Sequence, residues 1–211
     1  MRRLLLLAWL LLPVAGAAYH YGPGQDRLAD DRTAALVETA QSSAAEARAV
    51  AAAEGDAAAK ALWIEAVQAY SEALSSVRTE HVALSRTLQL ERAKAQMFAS
   101  KLPEARRDLE QLVNDLSLDP QGDPTQLAQA REALANAQYY NTWLMRLEGA
   151  PRDEWEREID ASRQNYKLLA ETASQAKDEE RAKQIKESLE SAIALARMDL
   201  TELQGLPLPS Q

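Results

Sequence analysis

Trp63–Leu74, with the sequence WIEAVQAYSEAL, is the stretch that decides the fold. Within it and just beyond it, apolar residues recur every three or four positions. The residues of this stripe are Trp63, Ala66, Val67, Tyr70, Ala73, Leu74 and Val77. Because an α-helix turns once in every 3.6 residues, this spacing places them on one face of a helix. The stretch therefore predicts a helix over residues 57–77 that buries one face.

Helical spacing of apolar residues continues on both sides of this stretch. Residues 26–54 are rich in alanine and contain few large apolar side chains, which predicts an outer helix with little to bury. Stripes between residues 84 and 203 predict about five further helices. No segment shows the sustained two-residue alternation of a strand. The predicted fold is therefore all-α, built from antiparallel helical hairpins, with a closed helical bundle as the alternative.

Glycine, proline and capping residues mark the breaks between the predicted helices. Gly55 separates the first two helices, and Gly149 ends a later one. That later helix starts at Asp123 and Pro124, a capping carboxylate followed by a proline suited to the first turn. The predicted segments are a signal peptide (1–18), a flexible leader (19–25), one helical domain (26–204) and a tail (205–211). The domain comprises the outer helix 26–54, hairpins over 57–173 and a C-terminal helix over 178–203.

The first residues of the chain have the pattern of a secretory signal peptide. Arg2 and Arg3 precede an apolar run over residues 4–12, after which small residues follow. Cleavage before Ala18 or before Tyr19 fits this pattern, and an uncleaved anchor is the alternative. The run is too short to span a bilayer comfortably, so we expect no stable membrane span after cleavage. The pattern predicts an exported protein, periplasmic or secreted, from a bacterial host.

The composition excludes several classes of function. A formal net charge of −8 is unfavourable for binding nucleic acid, because phosphate contacts need clustered Lys and Arg. The chain has no Cys and 2 His, which excludes thiolate catalysis and His-rich metal clusters. His81 and Ser85 lie one helical turn apart, but no G-x-S-x-G elbow accompanies them. Acidic residues along the predicted helices are typical of solvated faces. We therefore expect no enzymatic activity and no cofactor.

A pattern of small and large residues in the deciding stretch occurs twice in the chain and a third time in a weaker form. Its members are Ala66, Tyr70 and Ala73, then Ala105, Leu109 and Leu112 within LPEARRDLEQLV, and more weakly Ser162, Tyr166 and Leu169. This is the spacing of the second helix of a tetratricopeptide repeat. Over residues 57–173 the chain resembles that family in a degenerate form. The resemblance implies a superhelical array of hairpins whose groove binds a peptide or a partner protein.

An aromatic cluster on the helix predicted over residues 124–148 supplies the candidate site. By helical angle, Tyr140 and Leu144 fall on the core stripe, whereas Tyr139 and Trp143 point away from it. One interpretation is that this pair packs under another helix pair. The other is that Tyr139, Trp143 and the adjacent Arg146 form an exposed patch that binds a partner, since Trp, Tyr and Arg are enriched in binding hot spots.

These observations predict a non-catalytic, exported protein-interaction module or scaffold of the cell envelope. A structural, self-associating protein is the alternative, because the stripe over Ala182–Leu203 resembles a heptad seam that could pair with a second copy. A remote alternative is binding of Cu(II) or Ni(II) at the mature N-terminus. Cleavage before Ala18 would place His20 third in the chain, where amine, amide and imidazole nitrogens give square-planar coordination.

Overall fold

The computed structural model describes residues 23–205, and within this range the chain forms eight helices and no strand. The all-α prediction is therefore confirmed. In chain order the helices are α1 (Pro23–Glu54), α2 (Asp56–Ser76), α3 (Val82–Phe98), α4 (Leu102–Leu118), α5 (Pro124–Leu147), α6 (Arg152–Gln175), α7 (Glu179–Arg197) and α8 (Leu200–Gly205). The predicted signal peptide, its cleavage sites and His20 lie outside the described residues, as does the tail after Gly205.

Two helix boundaries differ from the prediction. The predicted leader over 19–25 is helical from Pro23, because proline fits the first turn of a helix, where its missing N–H has no partner to lose. The predicted C-terminal helix over 178–203 is broken after Arg197. The break is followed by a capping box, in which Asp199 accepts from the Glu202 amide at 2.7 Å and Glu202 accepts from the Asp199 amide at 3.1 Å.

Other expected breaks are present where the sequence places them. Gly55 has φ 93° between α1 and α2, and Gly149 has φ 75° after α5, a backbone conformation that glycine adopts without steric cost. The Asp123 carboxylate accepts a hydrogen bond from the Thr125 amide at 2.8 Å, ahead of Pro124 in the first turn of α5. Local chemistry at these residues therefore ends one helix and starts the next.

From α1 to α7, consecutive helices make the extensive contacts, α8 contacts α5, and α1 and α7 do not pack extensively together within residues 23–205. The contacts thus follow chain order, as in an open array of antiparallel neighbours. Polar bridges join helices that lie two apart in the chain. They are Arg48–Glu91 from α1 to α3, Gln126–Thr87 from α5 to α3, Arg181–Glu132 from α7 to α5, and Arg106–Glu158 from α4 to α6. The odd-numbered helices α1 to α7 thus form one layer, and α2, α4 and α6 the other.

The core divides into three clusters along the array, and α3 contributes to two of them. Leu88 and Ala95 pack with α1 and α2, whereas Leu90, Ala93 and Met97 pack with α4 and α5. A helix that is apolar on two sides lies between neighbours, which accounts for both of its stripes. In α1 the buried stripe consists of alanines, namely Ala40, Ala44 and Ala47. The outer helix therefore packs closely on α2, although it has few large side chains to bury.

Candidate functional site

The face carrying Tyr139, Trp143 and Arg146 is not an exposed patch. Trp143 is 5 % exposed and belongs to the core cluster shared by α5, α6 and α7, while Tyr139 packs against this cluster half-buried. Leu144, which helical angle assigns to the core, is exposed instead. The physical reason is that α5 has neighbours on several sides, so its main apolar stripe does not by itself show which of its residues are buried. The interpretation of Trp143 as a packing residue between helices is the one that the structure supports.

Arg146 is 9 % exposed, so it is a buried residue and not a surface residue. It caps the end of a helix. Its guanidinium donates to the carbonyl oxygen of Leu195 and, at 2.5 Å, to that of Met198. It also lies over the Trp155 ring, 4.7 Å from the ring centroid. Burial lowers the pKa of Arg146, yet a guanidinium stays charged at neutral pH. This cation therefore satisfies the last carbonyls of α7, where the helix dipole is negative.

Most of the stripe proposed for self-association packs against other helices of the same chain. Of its residues, Ala182, Ile185, Ala192 and Leu203 are buried, whereas Leu200 is exposed. Ile185, Ala192 and Leu203 pack in the cluster that includes Trp143 and Tyr166, and Leu189 and Ala196 pack against it. The helix break at Met198 also interrupts the seam. A continuous heptad face for a second copy is thus absent from residues 182–203.

A groove that combines aromatic and charged side chains lies on the layer of odd-numbered helices and is the candidate ligand site. We define the groove by its lining residues on α1, α3, α5 and α7, together with Trp63 of α2. Its volume is about 490 Å³, within the range of sites that bind small ligands or peptide side chains. The groove brings together residues as distant in sequence as Arg48 and Arg181.

The apolar part of the groove is aromatic. Trp63 and Phe98 stack with ring centroids 4.6 Å apart and an interplanar angle of 19°. Trp63 is 3 % exposed, and its buried indole Nε1–H has no acceptor among the described residues. An unsatisfied buried donor costs roughly 1–3 kcal/mol, so such a group needs an explanation. Tyr140 also lines the groove, and burial raises the pKa of its phenol, which is therefore neutral at neutral pH.

Charged side chains surround this aromatic part. We call the three cations Arg48, Lys94 and Arg181 and the two carboxylates Glu91 and Glu132 the charged rim. Glu91 is shared by Lys94 at 2.8 Å and Arg48 at 3.7 Å, and Glu132 accepts from Arg181. The guanidinium of Arg48 also lies 5.9 Å from the Trp63 ring centroid. The charged rim thus joins α1 to α3 and α5 to α7 across the groove.

Among residues 23–205, no group of three or more His, Asp or Glu side chains is placed to hold a metal ion. None of the described helices combines the length and the hydropathy that crossing a bilayer requires.

Comparison of the chain with protein-family models, with curated proteins and with solved structures found no significant match. The tetratricopeptide resemblance therefore depends on residue spacing and stays a prediction.

Sequence patterns alone do not identify the groove. Trp63 belongs to the predicted core stripe and does pack in the core, with Phe98 against the same cluster, but their place in the groove depends on tertiary structure. Arg48, Glu91 and Arg181 look like ordinary solvated charges when each helix is considered separately. The clustering of these charges around the aromatic pair becomes visible only when α1, α3, α5 and α7 are known to share a layer.

Proposed function

We propose that this chain is a non-catalytic, exported protein-interaction module that receives a segment of a partner protein in the groove. The observation that supports it is the groove itself, which combines stacked aromatic side chains with a charged rim and extends over four helices of one layer. Apolar anchors surrounded by polar groups are the usual composition of a site for a peptide. A superhelical arrangement, as the tetratricopeptide resemblance implies, would continue the groove along the array.

The exported location is part of this proposal and has its own support. It depends on the arginine pair, apolar run and small residues within residues 1–18. N-terminal sequencing of the protein purified from the periplasm or medium of its native host tests it. A mature chain beginning at Ala18 or Tyr19 is the expected result, and an intact N-terminus on a cytoplasmic protein would contradict it.

The interaction itself is tested by site-specific photo-crosslinking in the native host. A photo-reactive phenylalanine analogue at Gln129, an exposed residue of α5 that lines the groove, should give a discrete adduct with one partner. The matched control carries the same analogue at Gln164, an exposed residue of α6 in the other layer. Adducts that are equal at both positions, or absent from the Gln129 protein, would refute a binding role for the groove.

A further inference from the structure

The charge of the groove differs in sign from the charge of the chain. The protein carries a formal net charge of −8, yet the charged rim has three cations and two carboxylates. A locally cationic site on an acidic protein attracts an acidic ligand while the rest of the surface repels it from other sites. Sign complementarity of this kind determines which partners a surface selects more than how tightly it binds them.

Burial within the charged rim strengthens this asymmetry. The side chains of Glu91 and Glu132 are each 28 % exposed, whereas those of Arg48, Lys94 and Arg181 are 59 %, 37 % and 40 % exposed. The carboxylates thus lie deeper, and the cations are presented to an entering ligand. A ligand carboxylate meets opposite charge at the opening, whereas a ligand ammonium meets like charge there.

Arg48 and Lys94 also have N–H donors that their ion pairs with Glu91 do not use. Arg48 and Glu91 are 3.7 Å apart, which is an ion pair but longer than a hydrogen bond. A guanidinium has five N–H donors and an ammonium three, and the single carboxylate of Glu91 is divided between Arg48 and Lys94. A second carboxylate would therefore add hydrogen bonds to these two cations without breaking the pairs that are present.

We infer that the partner segment is an acidic peptide, in which Asp or Glu flanks a large apolar side chain, and this inference depends on the proposed function. The apolar side chain packs on Phe98 and Tyr140, beside the Trp63 ring on which Phe98 stacks, and the flanking carboxylates pair with Arg48 and Lys94. An extended peptide supplies both groups within a few residues.

Selection from a phage-displayed library of random 12-residue peptides tests the inference. Peptides are selected on the full chain and counter-selected on Gln129→Trp, which fills the groove from an exposed position. Gln164→Trp, in the other layer, is the matched control. Groove-dependent peptides should be enriched in Asp and Glu next to large apolar residues.

Fluorescence anisotropy of one selected synthetic peptide then measures how much each charge contributes to affinity. Replacing the acidic residues of the peptide with Asn and Gln should weaken binding about two- to fivefold per charge. The substitutions Arg48→Gln and Lys94→Gln in the protein should have effects of the same size. Lys183→Gln, at a side chain 79 % exposed outside the groove, should leave affinity unchanged. Groove-dependent peptides that lack acids, or that bind equally well as amides, would overturn the inference and leave the proposed function standing. A library without groove-dependent peptides would overturn both.

Discussion

Arg146 allows a direct test of the packing at the C-terminal end of the array. Arg146→Met keeps much of the apolar stem but removes the charge and both hydrogen bonds to the carbonyls of Leu195 and Met198. A hydrogen bond to a charged group contributes about 1.5–3 kcal/mol, and the contact with the Trp155 ring adds about 0.5–2 kcal/mol. Allowing for partial relaxation of the helix end, we expect the free energy of unfolding to fall by about 3–5 kcal/mol.

Urea unfolding followed by circular dichroism measures this loss. With an m value of about 2–3 kcal/mol/M, the midpoint should fall by about 1–2 M. Arg152→Met is the matched control, because this arginine is 80 % exposed and its ion pair within residues 23–205 is with Glu156, one turn away. Such a surface pair contributes less than about 0.5 kcal/mol, so the control should unfold close to the wild type.

Arg146→Lys keeps the charge but loses the planar fork that reaches two carbonyls at once, and it should lie between wild type and Arg146→Met. Surface substitutions usually change the free energy of unfolding by less than about 0.5 kcal/mol. An Arg146→Met protein whose free energy of unfolding differs from wild type by no more than this would refute the capping role. If that variant also lost its partner, the sequence-based prediction of a binding role for Arg146 would be restored.

Four other results are expected from the fold. Tyr70→Ala and Trp143→Ala should each lower the free energy of unfolding by about 3–5 kcal/mol, since both rings are buried, and an unchanged denaturant midpoint would contradict this packing. Lys177→Gly should stabilise the protein by about 0.5–1 kcal/mol, because Lys177 has φ 58° after α6; a lower melting temperature would refute this. Burial raises the pKa of Tyr166 above its unfolded value of about 10, so the folded state binds its proton more tightly and stability should fall as the pH rises above about 10. Urea midpoints at pH 8 and 11 test this, and Tyr166→Phe should reduce the fall.

Local signals in the sequence were sufficient for most of the fold. The Trp63–Val77 stripe, the turn at Gly55 and the capped start at Asp123 each depend on residues within one or two turns. The break before α8 carries a local signal as well, the pair Asp199 and Glu202, which the apolar periodicity of that stretch obscured. Attention to capping boxes inside an apparently continuous stripe would have located it.

The sites depend on tertiary structure and were therefore less predictable. Arg146 donates to backbone carbonyls 49 and 52 residues away, and a carbonyl has no sequence signature. Trp143 was placed by the angle of a single stripe, a method that assumes one buried face, but α5 packs against α4 and α6 and touches α3 and α8. For a helix inside an array, aromatic residues off the main stripe are therefore as consistent with a second packing face as with a binding surface.

The groove separates the residues that hold the array together from those that would recognise a ligand. Partly exposed ion pairs such as Arg48–Glu91 contribute only about 0–1 kcal/mol, so the array does not depend on the charged rim for its packing. The packing comes instead from contacts between consecutive helices, where fully buried alanines such as Ala93 and Ala137 bring helix backbones near each other. Substitutions at Arg48 or Lys94 should thus alter ligand selection and leave the fold intact. An alanine enlarged to leucine would instead disturb the layer, at a cost of about 1–3 kcal/mol.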